Sequence, residues 1–350
     1  MNVSGKNNFE NLYKRSILAA LLVLVLYFGG DIIFPILFGV FFSFALLGPS
    51  RWLEKYGLPR FLSAFLLVCV SALALGSLLS YMSFEGYYLV QTLEEVSLSK
   101  RLDFIESIGE WWSARSGGDL PNKSEAYNAV TKKVINTSGA FLESGFAMLQ
   151  STFVFLSLVP IYAVLFLTYR GKVRNFLNSV FEKKEVNQGN DIIEGIATMI
   201  QSYLTGLAIV VIIVGVLYAI GLSLLGLDFA LLLALVTAIL IIIPYIGAIL
   251  GAVLPAAVAL LTMDTWWYSV VVLAIYVFIQ LLEGYILTPF IIGKNVNLNP
   301  LVIIIGMIVL GAVGGLLAIV LAIPIIASIK IIFSHIDGME PYAALMEQES

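Results

Sequence analysis

The chain has 350 residues, of which 60% are hydrophobic and only 12% are charged. Soluble domains are near half apolar and a quarter charged, so this composition and a mean hydropathy of +0.99 exclude a water-soluble globular protein and a disordered chain. The formal net charge of −4 offers no basic field to nucleic acid, and one cysteine with one histidine excludes a disulfide framework and a multi-imidazole metal site. The sequence predicts an all-α polytopic membrane protein with no cofactor and no metal.

Apolar runs that could cross the bilayer recur along the chain, because a span needs roughly 20 apolar residues to cross about 30 Å of hydrocarbon. In the N-terminal region 1–81, the run 16–49 is too long for one helix. Gly29-Gly30-Asp31 in its middle predicts a tight hairpin between two short spans. Single spans are predicted at 58–81, 147–169, 203–227 and 265–287.

Two further runs in the C-terminal membrane core 201–333 are also too long for one helix, and each is interrupted. The run 229–263 is broken at Pro244-Tyr245-Ile246-Gly247, and the run 300–333 is broken at Gly314-Gly315. In lipid, irregular backbone is tolerated only where it is buried in protein or lines a wet cavity. We therefore expect about eight membrane segments, including two interrupted helical hairpins.

The polar segments between the spans predict the parts outside the bilayer. Apolar residues recur at helical spacing in 82–146, with charges between them, so this segment is expected to be a small external amphipathic helical region. Segment 170–200 is predicted to be a cytoplasmic loop followed by an interfacial helix, and 334–350 a cytoplasmic tail.

The distribution of positive charge predicts the orientation. If the N-terminus is inside, the short inner segments carry most of the Lys and Arg residues, whereas the short outer loops near Asp228 and Asp264 carry none. Both termini are then cytoplasmic, and the N-terminus is a cytoplasmic lead-in rather than a cleaved signal peptide.

Glu283 is the ionisable residue that stands out, because it lies inside an otherwise apolar span. Gln280 precedes it by three residues and so shares its helix face. An acid in a membrane span is a functional candidate, and a desolvated carboxylate can exchange a proton or bind a cation. Glu283 is thus the ion-coupling candidate. The alternative is that it pairs with Lys294 or caps backbone donors at the cytoplasmic interface.

Paired interrupted helices mark the transport site in many transporters, because freed carbonyls and half-helix ends can hold polar groups. The predicted path combines both breaks with the span between them: Pro244, Tyr245, Gly247, Gly251, Gln280, Glu283, Gly284, Pro289, Gly311, Gly314 and Gly315. The alternative is that these glycines and prolines only permit close helix packing. No catalytic residues are predicted, because the chain lacks a membrane Ser–His pair, an H-E-x-x-H motif and a Walker loop.

The C-terminal third carries a distinctive set of motifs: Ile243 to Gly247, Gly251, Pro255, Gln280 to Gly284, Pro289, Gly293-Lys294, Pro300-Leu301, Gly311 to Gly315 and Pro324. These motifs resemble the AI-2E family of transporters, also called the autoinducer-2 exporter or PerM-like permease family. The resemblance implies a bacterial inner-membrane protein that forms homo-oligomers. It also implies one of two cargoes: autoinducer-2, a small polar quorum-sensing solute, or sodium and protons in antiport.

From these observations we expect a secondary transporter, not an enzyme, that exports a small polar solute such as autoinducer-2. A sodium/proton antiporter of the same family is the first alternative. A channel or a membrane scaffold, with the external segment as its docking surface, is the second. The expected partners are the lipid bilayer, a small polar solute or a monovalent cation or proton, and further copies of the chain, but no nucleic acid.

Overall fold

A computed structural model describes residues 29–30, 32–95, 114–115, 153–181, 188–244, 246–292, 296–336 and 338–348. Throughout these ranges the chain consists of helices joined by short turns. Gly29 and Gly30 are helical, whereas the first arm of the predicted N-terminal hairpin and Asp31 lie outside the described residues. Most of the predicted external region 82–146 also lies outside them.

The helices follow the predicted apolar runs. In chain order they are α1 (Ile32–Lys55), α2 (Arg60–Glu95), α3 (Phe153–Phe181), α4 (Gln188–Leu224), α5 (Ala230–Leu240), α6 (Ile246–Thr262), α7 (Trp267–Leu282), a π-helical turn (Glu283–Leu287), α8 (Thr288–Ile291), α9 (Pro300–Val320), α10 (Ala322–Ser334) and α11 (Glu340–Leu345). α2 continues beyond its predicted span, so residues 82–95 prolong that helix.

By length and composition alone, five helices in the described residues could cross a membrane: Ile32–Lys55, Arg60–Leu93, Asp191–Leu224, Trp267–Ile291 and Pro300–Val320, the last of which is kinked at Gly315. Shorter apolar helices accompany them at Ala230–Leu240, Gly247–Thr262 and Ala322–Ser334. The prediction of an all-helical polytopic membrane protein is therefore confirmed.

Local sequence signals set several helix ends. α9 begins with Pro300, whose missing N–H costs nothing in the first turn, and the side chain of Asn299 accepts a hydrogen bond from the Leu301 amide at 2.9 Å. α4 is followed by Gly226 in the left-handed conformation at φ 73°, and the Leu227 amide donates back to the Leu222 carbonyl at 3.1 Å. This is the Schellman pattern, which satisfies a carbonyl that the helix end leaves unpaired.

The chain divides into two compact units. Unit 1 comprises Met1–Cys69, Val154–Leu204 and Asn295–Ser350, and unit 2 comprises Val70–Phe153 and Thr205–Lys294. One core of unit 1 consists of buried apolar side chains from α1, α4, α9 and α10 and the segment before α9: Phe41, Met199, Ile200, Leu298, Met307, Leu321, Ala322, Ile326 and Ala327. A second core joins α1, α2 and α3 through Leu47, Ala64, Val68, Ala163, Val164 and Leu167.

A charged cluster also connects α1 with α3 in unit 1. Arg170 donates two hydrogen bonds to the Glu54 carboxylate, at 2.9 Å and 2.5 Å. Ser50 donates to the same carboxylate at 3.0 Å, and Ser63 donates to the Ser50 carbonyl at 3.0 Å. This fork-shaped pairing fixes orientation as well as distance, because the guanidinium and carboxylate planes must align.

Candidate functional site

The α5–α6 segment of unit 2 is an antiparallel helical hairpin. A Cβ placed on Gly251 would lie 2.7 Å from the Thr237 side chain, and one on Gly247 would lie 1.8 Å from the Leu240 carbonyl oxygen. The two pairs are centred on Pro244 and between Ile243 and Pro244, so the chain reverses there. The hairpin turn, defined as residues 241–244, is not α-helical; Ile243 N–H instead donates to the Leu240 carbonyl at 2.9 Å.

The second predicted interruption lies in unit 1, where Gly315 has φ 62° and ψ −151° inside α9. A Cβ on Gly311 would lie 2.9 Å from Ile319, and one on Gly306 would lie 2.2 Å from Ile326. In a straight helix, residues 8 positions apart would be about 12 Å apart. The chain therefore folds back at Gly315, which confirms the predicted position of the break. The helix is interrupted a second time at Leu321, which was not predicted.

A buried hydroxyl network, consisting of Thr237 and Tyr276 with the carbonyls of Leu233 and Gly251, joins α7 to both arms of the α5–α6 hairpin. The Thr237 Oγ1 lies 2.9 Å from the Leu233 carbonyl, 3.0 Å from the Gly251 carbonyl and 2.7 Å from the Tyr276 hydroxyl. Thr237 is only 1% exposed and Tyr276 only 3%. The Tyr276 ring stacks on Tyr218 of α4, with centroids 4.2 Å apart.

Glu283 lies at the end of α7, where its carboxylate accepts two side-chain hydrogen bonds. Gln280 donates from Nε2 to one carboxylate oxygen at 2.7 Å, and the Thr288 hydroxyl donates to the other. We call these three half-buried residues the acid cluster. The predicted pairing of Gln280 with Glu283 on one helix face is thus present.

The π-helical turn explains why Thr288 belongs to the acid cluster. The Thr288 amide donates to the Glu283 carbonyl, five residues back rather than four. In an α-helix, positions five apart point in different directions, whereas in a π-turn they are aligned. π-turns are rare and occur mostly as single turns within α-helices, frequently at functional sites.

The register of α6 against α7 brings the acid cluster to the depth of the hairpin turn. The Ser269 hydroxyl donates to the Ala256 carbonyl at 2.6 Å, and the hydroxyl network places Tyr276 level with Gly251. The two helices therefore run antiparallel. Because each helix advances about 1.5 Å per residue, the same register carries Glu283 to the level of the hairpin turn.

The predicted path residues divide between the two units. Unit 2 holds Pro244, Gly247, Gly251, Gln280, Glu283, Gly284 and Pro289, and unit 1 holds Gly311, Gly314 and Gly315. Several of the glycines have direct packing partners, and Gly314 abuts the Phe34 ring so closely that a Cβ would lie 2.0 Å from it. Gly284 faces open space and Pro289 is exposed. Tyr245 and Lys294 lie outside the described residues.

Four residues of this region were not predicted as site residues: Tyr218, Thr237, Tyr276 and Thr288. Tyr276 precedes Gln280 by four residues and Glu283 by seven, so helical spacing alone could have placed it on the same face. Thr288 lies off that face unless the helix widens. Pro289 carried a signal of such widening, because proline inside a regular α-helix clashes with the carbonyl four residues earlier.

Comparison with known proteins adds the family. The family model described as AI-2E family transporter matches residues 16–338. The chain is 25% identical over 345 residues to the "AI-2 transport protein TqsA" of Escherichia coli strain K12, covering 96% of each chain. It is 28% identical over 322 residues to the "Putative transport protein YueF" of Bacillus subtilis strain 168, covering 88% of this chain and 85% of the relative.

A further relative also aligns over most of both chains. The "Putative permease PerM" of Escherichia coli strain K12 is 27% identical over 324 residues, covering 90% of each chain. The similarity thus extends over nearly the full length of the relatives and includes both interrupted hairpins. On the evidence of the family model and its coverage, the chain belongs to the AI-2E family of membrane transporters.

Proposed function

We propose that this protein is a secondary transporter that exports a small polar solute of the autoinducer-2 type across the bacterial inner membrane. The observation that carries the proposal is the acid cluster at the depth of the hairpin turn in unit 2. Irregular backbone at a broken helix and a membrane-embedded carboxylate are both costly in hydrocarbon. Their coincidence at one depth supports a polar path there.

The chemistry of the acid cluster favours donor-rich or cationic cargo over anions. The cluster offers a carboxylate, an amide and a hydroxyl, and the hairpin turn adds backbone carbonyls. Residues 185–293 contain no Lys, Arg or His. A hydroxyl-bearing neutral solute could donate to these acceptors, whereas an anion would meet no balancing positive side chain in this segment.

Sodium/proton antiport is the second candidate function, because the same charge pattern favours it. A carboxylate in an apolar span can be neutralised by a proton or by a monovalent cation. Exchange of one for the other at Glu283 would couple the two ion gradients. The route through the membrane could be the same in both candidate functions.

We also propose how the membrane segments and the termini of the whole chain are placed relative to the bilayer. α5 has 11 residues and rises only about 16 Å, so we propose that the α5–α6 hairpin enters the membrane and returns without crossing it. About eight membrane segments, both termini in the cytoplasm and assembly into homo-oligomers complete this arrangement. A role in quorum sensing is part of the proposal only if autoinducer-2 is the cargo.

Flux measurements on proteoliposomes test the proposal. Wild-type protein, Glu283→Gln and the loop control Asp228→Asn are each supplied with autoinducer-2, sodium or protons, with and without an imposed pH or sodium gradient. We expect saturable flux from the wild type and from Asp228→Asn, and ion-coupled flux lower by about tenfold or more in Glu283→Gln, since hydrogen bonds to a charged group are lost.

The pattern of outcomes separates the candidates. Saturable autoinducer-2 flux supports the exporter, and sodium-dependent collapse of a pH gradient supports the antiporter. Flux that never saturates would identify a channel, and no flux of any cargo would favour a scaffold. Unchanged flux in Glu283→Gln would remove this residue from the mechanism.

A further inference from the structure

The hydroxyl network determines how the α5–α6 hairpin is attached to α7, and its protons can be assigned. The two carbonyls can only accept hydrogen bonds, so the single Thr237 proton serves whichever of them it hydrogen-bonds. With that proton engaged, the hydrogen bond to Tyr276 at 2.7 Å is donated by the Tyr276 hydroxyl. Tyr276 of α7 thus donates to Thr237 of α5, whose hydroxyl also contacts the Gly251 carbonyl of α6.

The surroundings of this network leave the Tyr276 hydroxyl little choice of partner. Tyr276 and Thr237 are almost fully buried, and the Tyr218 ring of α4 covers the Tyr276 ring. A buried hydroxyl without a partner is costly, so the native pairing is strongly preferred over alternatives. The stacked ring of Tyr218 fixes the plane in which the Tyr276 hydroxyl can lie.

We infer that Tyr276 and Thr237 are positioning residues that lock both arms of the α5–α6 hairpin to α7 and thereby hold the hairpin turn level with the Glu283 carboxylate. Tyr276 shares one helix face with Gln280 and Glu283. A shift of the hairpin by one helical turn would displace the hairpin turn by about 5 Å relative to the acid cluster. The functional consequence of this lock rests on the proposed transport function, but the lock itself does not.

Matched substitutions isolate the hydroxyl from the ring. Tyr276→Phe keeps the stacking on Tyr218 and removes only the donor, whereas Tyr218→Phe removes a hydroxyl from the partner ring and leaves the network intact. Thr237→Val removes the central hydroxyl at nearly constant volume, and Thr237→Ser restores it. A general packing defect would affect all four variants, whereas loss of the lock affects only Tyr276→Phe and Thr237→Val.

The first readout is the distance between two spin labels, which can be measured without a transported solute. Spin labels are placed at Ile249 and Phe290, which are 69% and 85% exposed, in a Cys69→Ala background diluted with unlabelled protein in bilayer nanodiscs. Double electron–electron resonance is expected to give a narrow distribution of the distance between the two labels for the wild type, Tyr218→Phe and Thr237→Ser. In Tyr276→Phe and Thr237→Val, we expect a distribution about twofold broader. Equal widths in all variants would overturn the inference.

The second readout is flux, measured with sodium and with autoinducer-2 as probes. In Tyr276→Phe, the apparent KM should rise by about two- to tenfold with little change in maximal rate, the effect of one lost hydrogen bond on a site that still assembles. Thr237→Ser, which restores the central hydroxyl, should keep the wild-type KM. A broadened distance distribution with unchanged flux would retain the lock and refute its role in transport. Normal distances without flux of either probe would refute the proposed function alone.

Discussion

At the residue scale, Gly247 is the position at which the α5–α6 hairpin tolerates no side chain. The Leu240 carbonyl that a Cβ would meet at 1.8 Å also accepts the Ile243 amide at 2.9 Å, so it cannot move without opening the hairpin turn. A Cβ placed on Gly284, in contrast, would have no neighbouring atom within 4 Å. The two predicted path glycines therefore differ in what they do: one is needed for the turn, and the other leaves space open.

We predict that Gly247→Ala destabilises the protein by about 2 kcal/mol or more, in the range of overpacked cores. The melting temperature in detergent should fall by about 5 °C or more, as followed by size-exclusion chromatography after heating. Gly284→Ala is the matched control and should melt like the wild type. Equal melting of both variants would contradict the hairpin geometry described for unit 2.

At the element scale, the C-terminal helix α11 closes onto the segment before α9 in unit 1. The Asn299 amide donates to the Met346 carbonyl at 2.8 Å, and Ala343 of α11 is 5% exposed. Lys330 donates to the Asn297 carbonyl and pairs with Glu347, each at 2.9 Å. The predicted cytoplasmic tail 334–350 thus contains an element that packs on the core of its own unit.

A chain that ends at Gly338 should therefore lose protection around Asn299. Hydrogen exchange followed by mass spectrometry is expected to show at least about tenfold faster exchange in residues 297–303, because the Met346 acceptor is absent and the segment is uncovered. Glu347→Gln is the control. It removes only a partly exposed ion pair, worth about 0–1 kcal/mol, and should exchange nearly as the wild type does. Unchanged exchange on truncation would mean that α11 does not stabilise this segment.

At the scale of the whole molecule, the positive charges predict which loops face the cytoplasm. Lys172 lies in the charged segment after the span 147–169, and Asp228 lies in a loop without Lys or Arg; both are exposed. The positive-inside rule predicts opposite sides of the membrane for these two positions.

In a Cys69→Ala background, Asp228→Cys should react with a membrane-impermeant maleimide in intact cells, whereas Lys172→Cys should react only after the membrane is opened. The measurement compares the labelled fraction before and after permeabilisation. Labelling of Lys172→Cys in intact cells would reverse the proposed orientation and place the acid cluster near the outer surface.

Much of the fold could be predicted from the amino-acid sequence because its causes are local. The length of an apolar run determines whether a helix can span the bilayer, and Pro244 and Gly315 break helices through their own backbone chemistry. The shared helix face of Gln280 and Glu283 follows from helical spacing, because the two residues are three positions apart. Each of these features needed no knowledge of which helix lies beside which.

The remaining features depend on contacts between distant residues or on a choice between nearly equal helical geometries. Thr288 joins Glu283 only because the helix adopts a π-turn, and Thr237 meets Tyr276 across 39 positions of sequence. The helical membrane class, the AI-2E resemblance, the two helix breaks and the acid within a span could all be predicted from the amino-acid sequence. The tertiary structure decided the register that brings this acid to the depth of the hairpin turn, because register is set by interhelical packing and hydrogen bonds, which periodicity along one chain does not encode.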